Sequence, residues 1–152
     1  MKLRNLVPWY ARIGAKVVLS RLPTDYASWH RFGLFSHGDM DDPAYAHRVF
    51  LTHFDRSAFA RKGGGFVGLE LGPGDSVMSA VVAAAYGARR HHLIDAGRFA
   101  TADPAPYRAM TAHLRSQGLS VHDLSGASDL DAILSCCHAN YGTQGLDSLR
   151  SL

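Results

Sequence analysis

The sequence predicts an α/β fold, with a parallel sheet of about three strands preceded by a helical N-terminal segment. Three observations carry that expectation. Phe66 to Leu71 is mostly apolar without alternation, the pattern of a strand buried on both faces of a parallel sheet. Short strand-like runs then alternate with helical periodicity along the rest of the chain. The composition also allows a core: of 152 residues, 47% are hydrophobic and 19% charged, unlike a disordered chain.

The elements follow in order. Residues 1–24 carry Lys2, Arg4, Arg12, Lys16 and Arg21 and no acid. Leu6, Trp9, Tyr10, Ile13 and Val17 recur at helical spacing. This basic amphipathic helix is expected to pack on the domain as a lid, with weak peripheral membrane contact as the other use of such a face. It lacks the compact apolar core and cleavage site of a signal peptide. No apolar stretch reaches the roughly 18 residues of a membrane span. Residues 25–42 read as irregular, with Gly33 and Gly38 as punctuation. His37, Asp39, Asp41 and Asp42 resemble an oxygen-and-nitrogen metal cluster. Asp42 before Pro43 is better explained as a helix start, the acid capping and the proline in the first turn, and no metal site is expected. Ala46, Val49, Phe50 and Phe54 then share one helix face.

The glycines of RKGGGF, 61–66, make a joint. They divide a helical N-terminal segment or lid, 1–62, from a sheet domain, 63–152. After the strand Phe66–Leu71 comes a loop, Gly72-Pro73-Gly74-Asp75. A helix over Ser76–Tyr86 follows and stops at Gly87. His91–Ile94 reads as a second strand ending in Asp95, with His91 and His92 on opposite faces. Tyr107–Gln117 reads as a helix closed by Gly118, Leu119–Leu124 as a third strand, and Asp129–Tyr141 as a last helix capped by Ser128 or Asp129.

Charge and cysteine usage narrow the function. A net charge of +3 without a basic, aromatic-laced patch excludes nucleic acid as the expected partner. Cys136 and Cys137 are adjacent, so they neither bridge easily nor offer the spaced pairs of a zinc site. They read as free thiols of a reducing cytoplasm.

The informative stretch is FVGLELGPGDS, 66–76. Gly72 and Gly74 fall where a parallel strand turns into a helix, the edge at which open α/β sheets bind ligands. Glycine there admits positive φ and lets a ligand approach the backbone. An acid at the end of the next strand, Asp95, suits ribose hydroxyls. A dinucleotide site prefers a third glycine and tolerates no carboxylate beside its pyrophosphate. Here the third glycine is absent, and Glu70 and Asp75 flank the loop. Two carboxylates suit a ligand bearing an ammonium, a sulfonium and a ribose.

LELGPGDS followed by LIDAG resembles the first two cofactor motifs of the class I S-adenosylmethionine-dependent methyltransferase family. Glu70-Leu71-Gly72-Pro73-Gly74 fits the first motif and Asp95 the second. The flanks GDMDDPAYAHRVFLTHFD and DAGRFATADPAPYRAMTAHL resemble a bacterial branch with a helical N-terminal segment. The resemblance implies a Rossmann-like fold, S-adenosyl-L-methionine as cofactor and methyl transfer to an acceptor. It places the cofactor against Glu70, Gly72, Pro73, Gly74, Ser76, Asp95 and Ala96. It names no general base; Tyr45, Arg48 and Tyr107 fall in segments that line an acceptor pocket in that reading. Family members have a seven-stranded sheet, so the resemblance also implies a truncated, N-terminal half, with a completing chain or a homodimer at the open sheet edge. The competing readings are a dinucleotide-binding oxidoreductase domain and a catalytically inactive module that binds a partner chain.

Overall fold

The computed structural model describes residues 40–61, 63 and 65–150. The amphipathic helix expected over 1–24, and His37 and Asp39 of the metal reading, lie outside the described residues. Helix α1, Pro43–Phe54, begins as its sequence dictates: Asp42 Oδ1 accepts from the Ala44 amide at 3.0 Å and Pro43 occupies the first turn. Its inner face is aromatic. Phe50 and Phe54 stack with centroids 5.4 Å apart, and Phe54 meets Tyr86 at 5.1 Å and Phe66 at 5.3 Å. A 3-10 turn, Ala58–Arg61, leads on toward the sheet.

Strands β1 (Val67–Leu71), β2 (Arg90–Ile94) and β3 (Ala139–Gly142) form an all-parallel sheet in the order β1-β2-β3. Gly68 lies opposite His91 and Glu70 opposite Leu93, while Leu93 in turn faces Tyr141. Helix α2, Met78–Ala85, joins β1 to β2 and ends at Gly87, whose φ of 81° is left-handed. Helices α3 (Ala105–Ser116) and α4 (Leu130–Cys136) intervene before β3, and α5, Leu146–Arg150, follows it. This is an α/β fold with a partial Rossmann-like sheet. α1 packs on α2 and α3 and belongs to the same compact unit as the sheet.

One core joins α2, α3, α4 and β2. Val77, Met78, Leu93, Tyr107, Met110 and Ile133 are fully buried in it. Each such burial stabilises by about 1.5–3 kcal/mol. Tyr107 is therefore a core residue: its hydroxyl donates to the Thr101 carbonyl at 3.0 Å and accepts from the Val77 amide at 3.4 Å. Burial raises its pKa to about 12. It lines no acceptor pocket, and exposed Arg48 stacks over the Tyr45 ring at 5.3 Å.

Three expectations need correction. The third strand is not Leu119–Leu124 but Ala139–Gly142. Arg108 of α3 ties down the end of the earlier run, donating to the carbonyls of Leu124, Ser125 and Ala127. That stretch makes no ladder. The helix expected over Asp129–Tyr141 is capped as predicted, Asp129 Oδ1 accepting from Ala132 at 2.8 Å, but it stops at Cys136. His138, at a φ of 51°, takes a conformation that ends a helix and turns the chain into β3. Finally, β1 is not buried on both faces. Val67, Leu69 and Leu71, which share one face of the strand, are 47%, 51% and 67% exposed.

Buried His47 links three helices. Its Nδ1 lies 3.1 Å from His113 Nε2, and its Nε2 lies 2.9 Å from the Tyr86 hydroxyl. The facing nitrogens of His47 and His113 share one hydrogen, so protonating both rings breaks the contact. Burial first, and His113 second, hold the His47 pKa below its ordinary 6.5. Burial, then Arg90 and His91, lower His92 in the same direction. The unfolded chain thus binds these protons first. The stability they contribute is complete above pH 6.5 and is lost as pH falls through the folded-state values. The urea midpoint is expected to drop between about pH 7.5 and about pH 5.5, and less steeply in His47→Gln. Equal drops in both proteins would remove His47 as a cause.

Candidate functional site

The β1–α2 loop is shaped by its glycines. Gly72 and Gly74 have φ of 72° and 70°, a region that L side chains rarely adopt. A Cβ at either would meet nothing within 4 Å, so the backbone there fronts open space. The requirement for glycine there is conformational, not steric. Pro73 between them is buried.

β2 delivers its terminal acid to this loop. Asp95 Oδ2 accepts from the Gly74 amide at 2.9 Å, and Oδ1 accepts from the Ala96 amide at 2.7 Å. Gly72 donates to the Ile94 carbonyl at 2.8 Å, which locks the two strand ends together. Each carboxylate oxygen has a second lone pair, so Asp95 can still accept from a diol. Ser76 is 2% exposed, and its hydroxyl accepts from the Met78 amide at 3.2 Å, which orders the start of α2. Of the residues expected around a cofactor, Gly72, Pro73, Gly74, Asp95 and Ala96 are thus gathered on one loop pair. Ser76 is buried just before α2.

Glu70 goes elsewhere. Its Oε2 accepts from the Ser79 hydroxyl and lies 3.7 Å from His91 Nε2. These three side chains floor a cleft of about 490 Å³ between α1 and β1, walled by Phe50, Phe54, Phe66 and Leu69 among others. His91 is buried, and neither ring nitrogen has a hydrogen-bond partner. Gly68 makes room for it: a Cβ there would lie 2.2 Å from His91 Nδ1. The sequence reading missed His91 and Ser79. The one signal was a glycine inside a strand, which marks a close approach by another group.

Cys137 is buried, and burial first, then Cys136, pushes its thiol up to about 12. No group of His, Cys, Asp and Glu among the described residues is arranged to hold a metal. No described helix is long and apolar enough to cross a membrane.

No protein-family model, curated protein or solved structure matches the chain.

The two kinds of glycine are separable. Gly74→Ala is expected to cost about 1–2 kcal/mol through left-handed strain alone, and Gly74→Asn to recover part of that, since asparagine tolerates the region. Gly68→Ala is expected to cost about 1–3 kcal/mol by overpacking against His91, and Gly68→Asn to be worse. Chemical denaturation of the four variants checks this ordering. Recovery by asparagine at position 68 would contradict it.

Proposed function

We propose that this chain binds S-adenosyl-L-methionine on the β1–α2 loop and is a methyltransferase, or the cofactor-binding N-terminal half of one. One arrangement supports the reading above the others: Asp95 at the end of β2 hydrogen-bonded to Gly74, with Gly72 and Gly74 left-handed and facing open space. Gly72 and Gly74 let the cofactor lie against the backbone. Asp95 accepts from its ribose hydroxyls, and the Ala96 amide keeps that carboxylate oriented. When bound, the cofactor supplies an electrophilic methyl group. The chain's own part is to hold it still and keep water away, the main sources of rate in such a transfer. Asp75 within the loop adds a negative charge that disfavours a pyrophosphate and so an oxidoreductase role.

The edge of β1 that no described strand pairs belongs to the same proposal as the place where a partner strand joins. The thiols of Cys136 and Cys137 fit a reducing cytoplasm.

Calorimetric titration of the chain with S-adenosylhomocysteine is expected to show micromolar binding, with none for NADH. Asp95→Ala is expected to weaken binding by about 1.5–3 kcal/mol, the range for hydrogen bonds to a charged group. Binding unchanged in that variant, or NADH binding in its place, would refute the assignment.

A further inference from the structure

The described residues concentrate their exposed large apolar side chains in one place. Phe59, Val67, Leu69 and Leu71 all border the cleft between α1 and β1. No described strand pairs with the β1 backbone on the side away from β2 either. In the β1–β2 ladder Phe66 accepts from Arg89 and Gly72 donates to Ile94. The even-numbered residues of β1 therefore bond to β2, and the N–H and C=O groups of Val67, Leu69 and Leu71 point away from it. Such a row of alternating donors and acceptors is satisfied by an extended polypeptide.

The floor of the cleft identifies which polypeptide. Gly68 and Glu70 lie on the face of β1 that carries His91. The imidazole occupies the space that a side chain at position 68 would fill, and both its nitrogens are buried and unpartnered. Its distance to Glu70 Oε2 on the same chain, 3.7 Å, is too long for a hydrogen bond. Ser79 already occupies that oxygen, while Oε1 takes no bond among the described residues. An incoming strand must therefore present an acceptor to His91 across from Gly68. It must also leave room for a side chain across from Glu70.

β1 itself meets both conditions. We infer that two copies of this chain pair β1 to β1, antiparallel, about a two-fold axis at Leu69. In that register Leu69 faces Leu69 of the second copy and Val67 faces Leu71. All three outward-pointing residues become hydrogen-bonded pairs. Glu70 of each copy falls opposite Gly68 of the other, where the other copy's His91 fills the vacant space. The Glu70 carboxylate thus meets the unpartnered imidazole, twice, by symmetry. The contact is isologous and closes, giving a continuous sheet with β1 and its mate at the centre. The inference rests on reading the β1 edge as a docking edge and is independent of the cofactor.

Light scattering on the 152-residue chain at about 100 µM is expected to give the mass of two chains. Leu69→Lys, a charge on the shared edge, is expected to give the mass of one with its circular dichroism retained. Glu70→Gln is expected to raise the dimer dissociation constant roughly tenfold. Register is read by cross-linking in a Cys136→Ser background. Leu69→Cys is expected to oxidise to a covalent dimer, because Cα atoms of a hydrogen-bonded antiparallel pair lie about 5.5 Å apart. Val67→Cys or Leu71→Cys alone should not cross-link. A single-chain mass for the parent protein overturns the inference. Hydrogen exchange then locates the failure: fast exchange at Val67, Leu69 and Leu71 rejects only the second copy as occupant, and slow exchange rejects the docking edge itself. A dimer that cross-links through Val67→Cys and not Leu69→Cys overturns the register.

Discussion

Pairing of β2 with a strand on each side is the constraint from which the rest follows. Among the described residues β2 is the only strand with two neighbours, and His91 to Ile94 are all buried. Its odd-numbered residues bond to β3, as His91 does to His138 and Asp95 to Gly142, while β1 takes the other set. That division fixes the register of both neighbours. It aligns the carboxyl ends of the strands, so Asp95 arrives beside Gly74 without any further device. It also puts Leu93 under α2 and α3, where the main core forms.

The same pairing explains the unequal treatment of polar groups. Asp95 is at a strand end, where loop amides and solvent can serve it. His91 is mid-strand and is carried into the interior by the ladder, leaving its ring nitrogens without partners. An unpartnered buried polar group costs about 1–3 kcal/mol, so a folded chain that keeps one gains by meeting a partner. His47 shows the satisfied alternative: burial with both nitrogens engaged, by His113 and Tyr86. Its position on α1 fastens that helix to α2 and α3. The two histidines differ in what surrounds them, not in how deeply they sit.

The elements written in local chemistry were legible in the sequence. Asp42-Pro43 and Asp129 specify their helix starts because a side-chain oxygen reaches an amide two or three residues on. Gly87 and Gly118 specify helix ends through left-handed φ. Gly72-Pro73-Gly74 and the distant Asp95 also declared themselves as one loop pair, because the turn's conformation demands glycine whatever surrounds it. Tertiary structure alone decided the rest. Of Ala139-Asn140-Tyr141-Gly142 only Tyr141 favours a strand, and the segment becomes β3 by pairing along β2. Leu119–Leu124 has the better pattern yet makes no ladder, and Arg108 holds its carbonyl end. Whether an apolar strand is central or at an edge depends on neighbours remote in sequence, so the exposure of Val67, Leu69 and Leu71 was not written in VGLEL itself. Local conformation is set by each residue's own backbone and near neighbours, and could be read. Pairing and burial are set by which surfaces meet, and had to be seen.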